Sequence, residues 1–141
     1  MSVKEEEDRK TSDYIEPFDG TRKGFRSFNI NFEAWARSKG IGKAYYKDHG
    51  TDLWTENEYY EGKREEKDPD DPTKTKWVEM SKDQKTLYSL NARGLHKFQQ
   101  CISSNSLKEK VRKEAGDTGS LYKAKQWLER DYGNYNTEDS Y

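Results

Sequence analysis

Across 141 residues the chain has one cysteine, two histidines and three prolines. A single thiol, Cys101, excludes an internal disulfide and favours an intracellular, cytoplasmic setting. His49, His96 and Cys101 have no zinc-finger spacing, and no HExxH pattern occurs. No run of about twenty apolar residues is present, so no membrane insertion is expected. No basic start followed by an apolar run marks a signal peptide. The formal net charge of -1 argues against strong nucleic-acid binding by the domain as a whole. Hydrophobic residues make up only 30%, low for a globular domain, while charged residues reach 38%. The core must therefore rest on a few large side chains, and partner subunits would extend it.

Those large side chains are periodic. Phe25, Phe28, Phe32 and Trp35 recur at intervals of three and four, which places them on one helix face. The spacing predicts a first helix over about 23–39, with Gly40 and Gly42 permitting a stop and a change of direction. Ahead of it, Ile15 and Phe18 anchor an extended entry segment; Pro17 restricts its neighbour and Asp19-Gly20 favours a turn. A second long helix is expected over about 75–103. Its inner face carries Trp77, Met80, Leu87, Leu95, Phe98 and Ile102, with Gln84 and Asn91 as imperfections and Gly94 allowing close approach of another helix. Ser106 and Glu109 have capping-box spacing for a short third helix bearing Leu107 and Val111. Ala124, Trp127, Leu128 and Tyr132 mark the inner face of a last helix ending at Gly133.

Residues 1–13, rich in mixed charge, read as a disordered leader, and 134–141 as a frayed tail. Between 44 and 76 the signals weaken. Leu53, Trp54, Tyr59 and Tyr60 read as a short helix or a folded flap; beyond Gly62, Pro69 and Pro72 break any long helix, and the charges of 63–71 read as exposed and mobile. The expectation is an all-α domain over 14–133, with four to five helices and one long irregular segment at 44–76.

Chemical constellations are sparse. His96 and Cys101 diverge by about 140 degrees on a helix, so they form no catalytic pair. Asp68, Asp70 and Asp71 lack the spacing of a calcium loop. Gly40-Ile41-Gly42-Lys43 lacks the full phosphate-loop pattern. No catalytic residue, metal or organic cofactor is expected, and the chain does not read as an enzyme. Lys108, Lys110, Arg112 and Lys113 form a basic patch, diluted by Glu109 and Glu114, and are the candidate RNA contacts. Tyr45, Tyr46, Trp54, Tyr59 and Tyr60 are the candidate protein interface, since aromatics act as anchors.

The order of segments resembles the Gag capsid region of LTR retrotransposons, especially copia-type Gag and related domesticated capsid proteins. The resemblance is carried by Phe18-Asp19-Gly20 before the Phe25-to-Trp35 helix, by Trp77 ahead of Leu87 and Leu95, and by the closing Ala124-xx-Trp127-Leu128-xxx-Tyr132-Gly133. It covers most of 15–133. It implies a helical capsid amino-terminal lobe that self-associates, within a longer product, into particles enclosing RNA. It makes Phe18, Phe32, Trp35, Trp77, Leu87, Leu95, Trp127, Leu128 and Tyr132 structural positions. The competing expectation is a helical adaptor that presents its exposed aromatic surface to a host protein.

Overall fold

Phe18 joins the entry segment to the end of the long helix. In the computed structural model, which describes residues 14–133, its N–H donates to the Cys101 carbonyl at 2.6 Å and its carbonyl accepts from Ser103 N–H at 3.3 Å. This is a parallel bridge between Phe18 and Ile102. Ile15 and Phe18 are buried beside it, while Pro17 stays exposed. Asp19 then makes a side-chain turn, accepting from the Thr21 N–H at 2.9 Å and the Thr21 hydroxyl at 2.7 Å. Those two bonds hold the Asp19 carboxyl below its usual range. Thr21 in turn caps α1 (Arg22–Ser38), accepting from Gly24 N–H at 3.0 Å.

The aromatic stripe of α1 does what its spacing demands. Phe25, Phe28, Phe32 and Trp35 are all buried. Phe28 stacks on Phe18 with ring centres 5.4 Å apart, and Phe32 meets Phe98 edge-on at 5.0 Å. Gly40 ends the helix at φ +72°, a conformation that favours glycine. A short α2 (Gly42–Tyr46) follows, packed on α1, α4 and α6.

The segment expected to be irregular carries several short regular elements. After a 3-10 turn at Gly50–Asp52, Leu53 and Trp54 are buried. Next comes α3 (Glu56–Glu61), fixed by a capping box between Thr55 and Glu58. Gly62 at φ +73° turns the chain into β1 (Lys63–Lys67), which pairs antiparallel with β2 (Thr75–Glu79). The domain is therefore mostly helical with a two-stranded sheet, not all-α. The connecting turn is held by Asp68 and Asp71, whose carboxylates accept from Asp70 N–H at 2.9 Å and Thr73 N–H at 3.1 Å. The prolines that forbid a helix here are accommodated in that turn.

The long helix begins later than its period suggests. The α4 helix runs Lys82–Gln100, capped by Ser81 with Gln84 reaching back to the Ser81 N–H at 2.8 Å. Thr75 to Glu79 prefer the strand because β-branched and aromatic side chains fit a pleated surface. Trp77 is consequently 57% exposed and is not a core residue. The α5 helix spans Asn105–Ala115 and starts two residues ahead of the expected box: Ser104, not Ser106, caps it, accepting from Leu107 N–H at 3.3 Å. Finally α6 (Leu121–Tyr132) packs on α5, α4 and α2. Leu87, Phe98 and Leu128 are buried, and Leu95, Trp127 and Tyr132 are partly buried against the same core. The six α-helices among the described residues exceed the four to five expected because α2 and α3 are too short to show a period. The leader at 1–13 and the tail at 134–141 lie outside the described residues.

Candidate interaction surface

The five aromatics expected at an interface separate in the fold. Tyr45 and Trp54 are fully buried and cannot meet a partner. The Tyr45 hydroxyl donates to Asn29 Oδ1 at 3.3 Å, and Lys125 Nζ lies 4.2 Å from its ring centre. Burial first, and the neighbouring Glu33 and Glu129 charges second, push the Tyr45 phenol well above its ordinary value. Trp54 lies under the hairpin, with the Arg64 guanidinium 4.4 Å from its ring centre. Arg64 is held there by Glu66 at 2.6 Å. The charges of β1 thus alternate between a domain-facing side, Arg64 and Glu66, and a solvent side, Lys63, Glu65 and Lys67.

Three of the five remain near the surface. Tyr46 is exposed but engaged. Arg37 Nε donates to its hydroxyl at 2.6 Å, and that hydroxyl donates to Glu33 Oε1 at 2.9 Å. Tyr59 stacks on Tyr88 at 4.0 Å with planes 11° apart. Tyr60 is open, at 75% exposure. Trp77 joins it as the other large exposed aromatic of this region, with Lys63 Nζ 4.7 Å from its ring centre. Trp77 is the surface residue that the helical reading misplaced. Its sequence signal was the Thr-Lys-Trp-Val run beyond an Asp-Pro-Asp-Asp-Pro turn, flanked by a segment of equal length.

The basic patch also divides. Lys108 and Arg112 lie four residues apart on one side of α5 and line an open groove of about 450 Å³ with His96, Gln99, Asn105 and Glu109. The groove continues past Asn91 and Leu95 toward Gly116–Gly119. Lys110 and Lys113 are exposed elsewhere on α5 and do not line it. The reason is angular: Lys110 is turned about 200 degrees from Lys108.

The groups with chemical potential are committed locally. His49 Nε2 bonds the Lys43 carbonyl at 2.8 Å, and His96 Nε2 bonds Gln100 at 3.0 Å. Cys101 is buried, and burial raises its thiol against the opposing charge of Lys97, so it resists becoming a thiolate. Among the described residues, no group of three His, Cys, Asp or Glu side chains could hold a metal ion. No helix of the described residues is long and apolar enough to cross a membrane. Comparison with known protein families, curated proteins and solved structures finds no match to this chain.

Proposed function

We propose that this chain is a Gag-like capsid lobe, a structural protein that self-associates within a longer product into particles enclosing RNA. The observation that carries this reading is how the aromatic positions of the resemblance are used. Phe18, Phe32, Trp35, Leu87 and Leu128 share one core, and the entry segment is stitched to the end of α4 through Phe18 and Ile102. A domain whose apolar groups are spent on such a frame, and whose surface offers shallow grooves and exposed aromatics, suits assembly. Weak contacts repeated by symmetry suffice for a particle. RNA contact falls to Lys108 and Arg112 in the α4–α5 groove, as a modest electrostatic supplement. Negative-stain imaging and sedimentation across salt and concentration test the proposal. Particles or higher oligomers are expected, and a chain that stays monomeric in every condition contradicts it.

One observation favours the adaptor as the second reading. Tyr60 and Trp77 are exposed in the α3–hairpin region, where a heterologous partner would find aromatic anchors. A stable complex with one host protein, formed by a chain that remains monomeric alone, would select this reading over the capsid.

A further inference from the structure

The β1–β2 hairpin has a definite hydrogen-bond phase. Met80 N–H donates to the Gly62 carbonyl at 2.8 Å, and Asp68 N–H donates to the Lys74 carbonyl at 3.0 Å. With Arg64 opposite Val78 and Glu66 opposite Lys76, the alternation of an antiparallel ladder makes those the bonded pairs. Glu65–Trp77, Lys63–Glu79 and Lys67–Thr75 are then the non-bonded pairs. The N–H and C=O groups of Thr75, Trp77 and Glu79 therefore point away from β1, off the outer edge of β2. Among the described residues β2 pairs with β1 alone, so that edge is unpaired. Natural edges are usually blunted by lysine, proline or short length. Here Trp77 stands at the midpoint of the edge with 57% of its surface exposed.

The geometry points to the outer edge of β2 as a homotypic interface, at which two copies pair β2 with β2 antiparallel about a two-fold axis through Trp77. This rests on the self-association proposed above and names its contact. The register follows from the phase. Trp77 faces the partner's Trp77, and Thr75 faces the partner's Glu79, so all three outward-facing residues of each strand exchange bonds. Between them Lys76 faces the partner's Val78. No like charges oppose one another. The equivalent pairing of β1 with β1 would set Glu65 against Glu65 and Lys63 against Lys67, like charges at all three bonded positions, which Arg64 facing the partner's Glu66 only partly offsets. The β2 edge is thus self-complementary and the β1 edge is self-repelling. Two five-residue strands bury far less than the roughly 1,200 Å² of a stable pair. The contact is accordingly weak alone and gains strength only when several copies are held together.

Thr75 separates this arrangement from its rivals. Within the chain Thr75 faces Lys67, whereas across the two-fold it faces the partner's Glu79. Thr75→Glu therefore favours the hairpin and opposes the homotypic edge. Thr75→Lys does the reverse. The experiment is sedimentation velocity on the full chain and both variants over a concentration series, with circular dichroism to check folding. Thr75→Glu should lower the association constant at least tenfold, while Thr75→Lys matches or exceeds wild type. The opposite order would mean pairing of β2 with the partner's β1 and would overturn the inference, as would weakening by both. If wild type associates and neither variant alters it, the edge is not the contact although self-association stands. If wild type never associates, both this inference and the reading beneath it fall. A cross-link adds a direct readout. Trp77→Cys should form a disulfide-linked dimer under mild oxidation, because directly opposed residues lie about 5.5 Å apart between Cα atoms. Glu65→Cys, on the neighbouring strand, should not; linkage by Glu65→Cys alone would overturn the register.

Discussion

Asn91 on α4 accepts the backbone N–H of Leu121 at 2.8 Å and donates its amide to the Gly119 carbonyl, also at 2.8 Å. The side chain is buried, and it ties the middle of α4 to the turn that starts α6. What the helical period marks as an imperfection is a polar clamp. Asn91→Leu keeps comparable bulk but leaves the buried Leu121 N–H and the part-buried Gly119 carbonyl without this partner. The expected cost is about 2–4 kcal/mol, since each unmet buried group costs about 1–3 kcal/mol. Urea unfolding of the two proteins measures it; a loss below about 0.5 kcal/mol would show that the clamp is not holding the helices.

Gly94 lies one turn further along the same helix. A methyl group there would come within 2.5 Å of Leu121 Cδ2 and 2.9 Å of Ile41 Cγ2. Alanine in a helix is intrinsically better than glycine by about 1 kcal/mol. Overpacking typically costs about 1–3 kcal/mol, so Gly94→Ala should be net destabilising. A rise in thermal midpoint on this substitution would mean the helices yield easily at the crossing.

Two tryptophans provide a paired test of the hairpin. Trp54 is fully buried beneath Arg64, and Trp77 is largely exposed. Trp54→Ala should cost about 3–5 kcal/mol, as large core truncations do. Trp77→Ala should change monomer stability by less than about 1 kcal/mol. Equal losses at low protein concentration would return Trp77 to the core.

The contrast between those residues shows what the sequence made legible. Phe25, Phe28, Phe32 and Trp35 face inward because a helix repeats every 3.6 residues, and the structure places α1 within one residue of the expected ends. The last helix and the entry segment are equally direct. Trp77 misled because Trp77, Met80, Gln84 and Leu87 also fall at intervals of three and four. What overrides that period is pairing with β1, in which Trp77 lies opposite Glu65. The strand itself is hard to see, because β1 alternates charge with charge and not apolar with polar. Likewise Tyr45 and Trp54 look like surface anchors among their charged neighbours, and only tertiary contact reveals that they are covered.

Alkaline pH should weaken the fold through Tyr45. Burial raises its folded-state phenol above the ordinary value of 10.0. The folded chain therefore keeps the proton more tightly than the unfolded chain. The contribution is fully present below pH 10 and is lost as pH rises beyond it toward the folded value. The slope approaches about 1.4 kcal/mol per pH unit for one such group. Urea midpoints at pH 9, 10 and 11 should fall for wild type and fall less steeply for Tyr45→Phe. Identical slopes would assign the alkaline loss to other groups.

RNA binding, measured by fluorescence anisotropy with a short single strand, should depend on the side of α5 that lines the groove. Reversing Lys108 and Arg112 to Glu should weaken binding and lower the salt slope by about 1–1.5. Reversing Lys110 and Lys113 should do less, because neither lines the groove. Equal effects of the two pairs would indicate a diffuse field and no preferred side.

Self-association is the central claim, and sedimentation equilibrium of the wild-type chain tests it most directly. The weight-average mass should rise above the 16.7 kDa of one chain as concentration increases, with dimers first and larger species at high concentration. A mass that stays at 16.7 kDa up to millimolar chain, at low and high salt alike, would contradict the capsid reading.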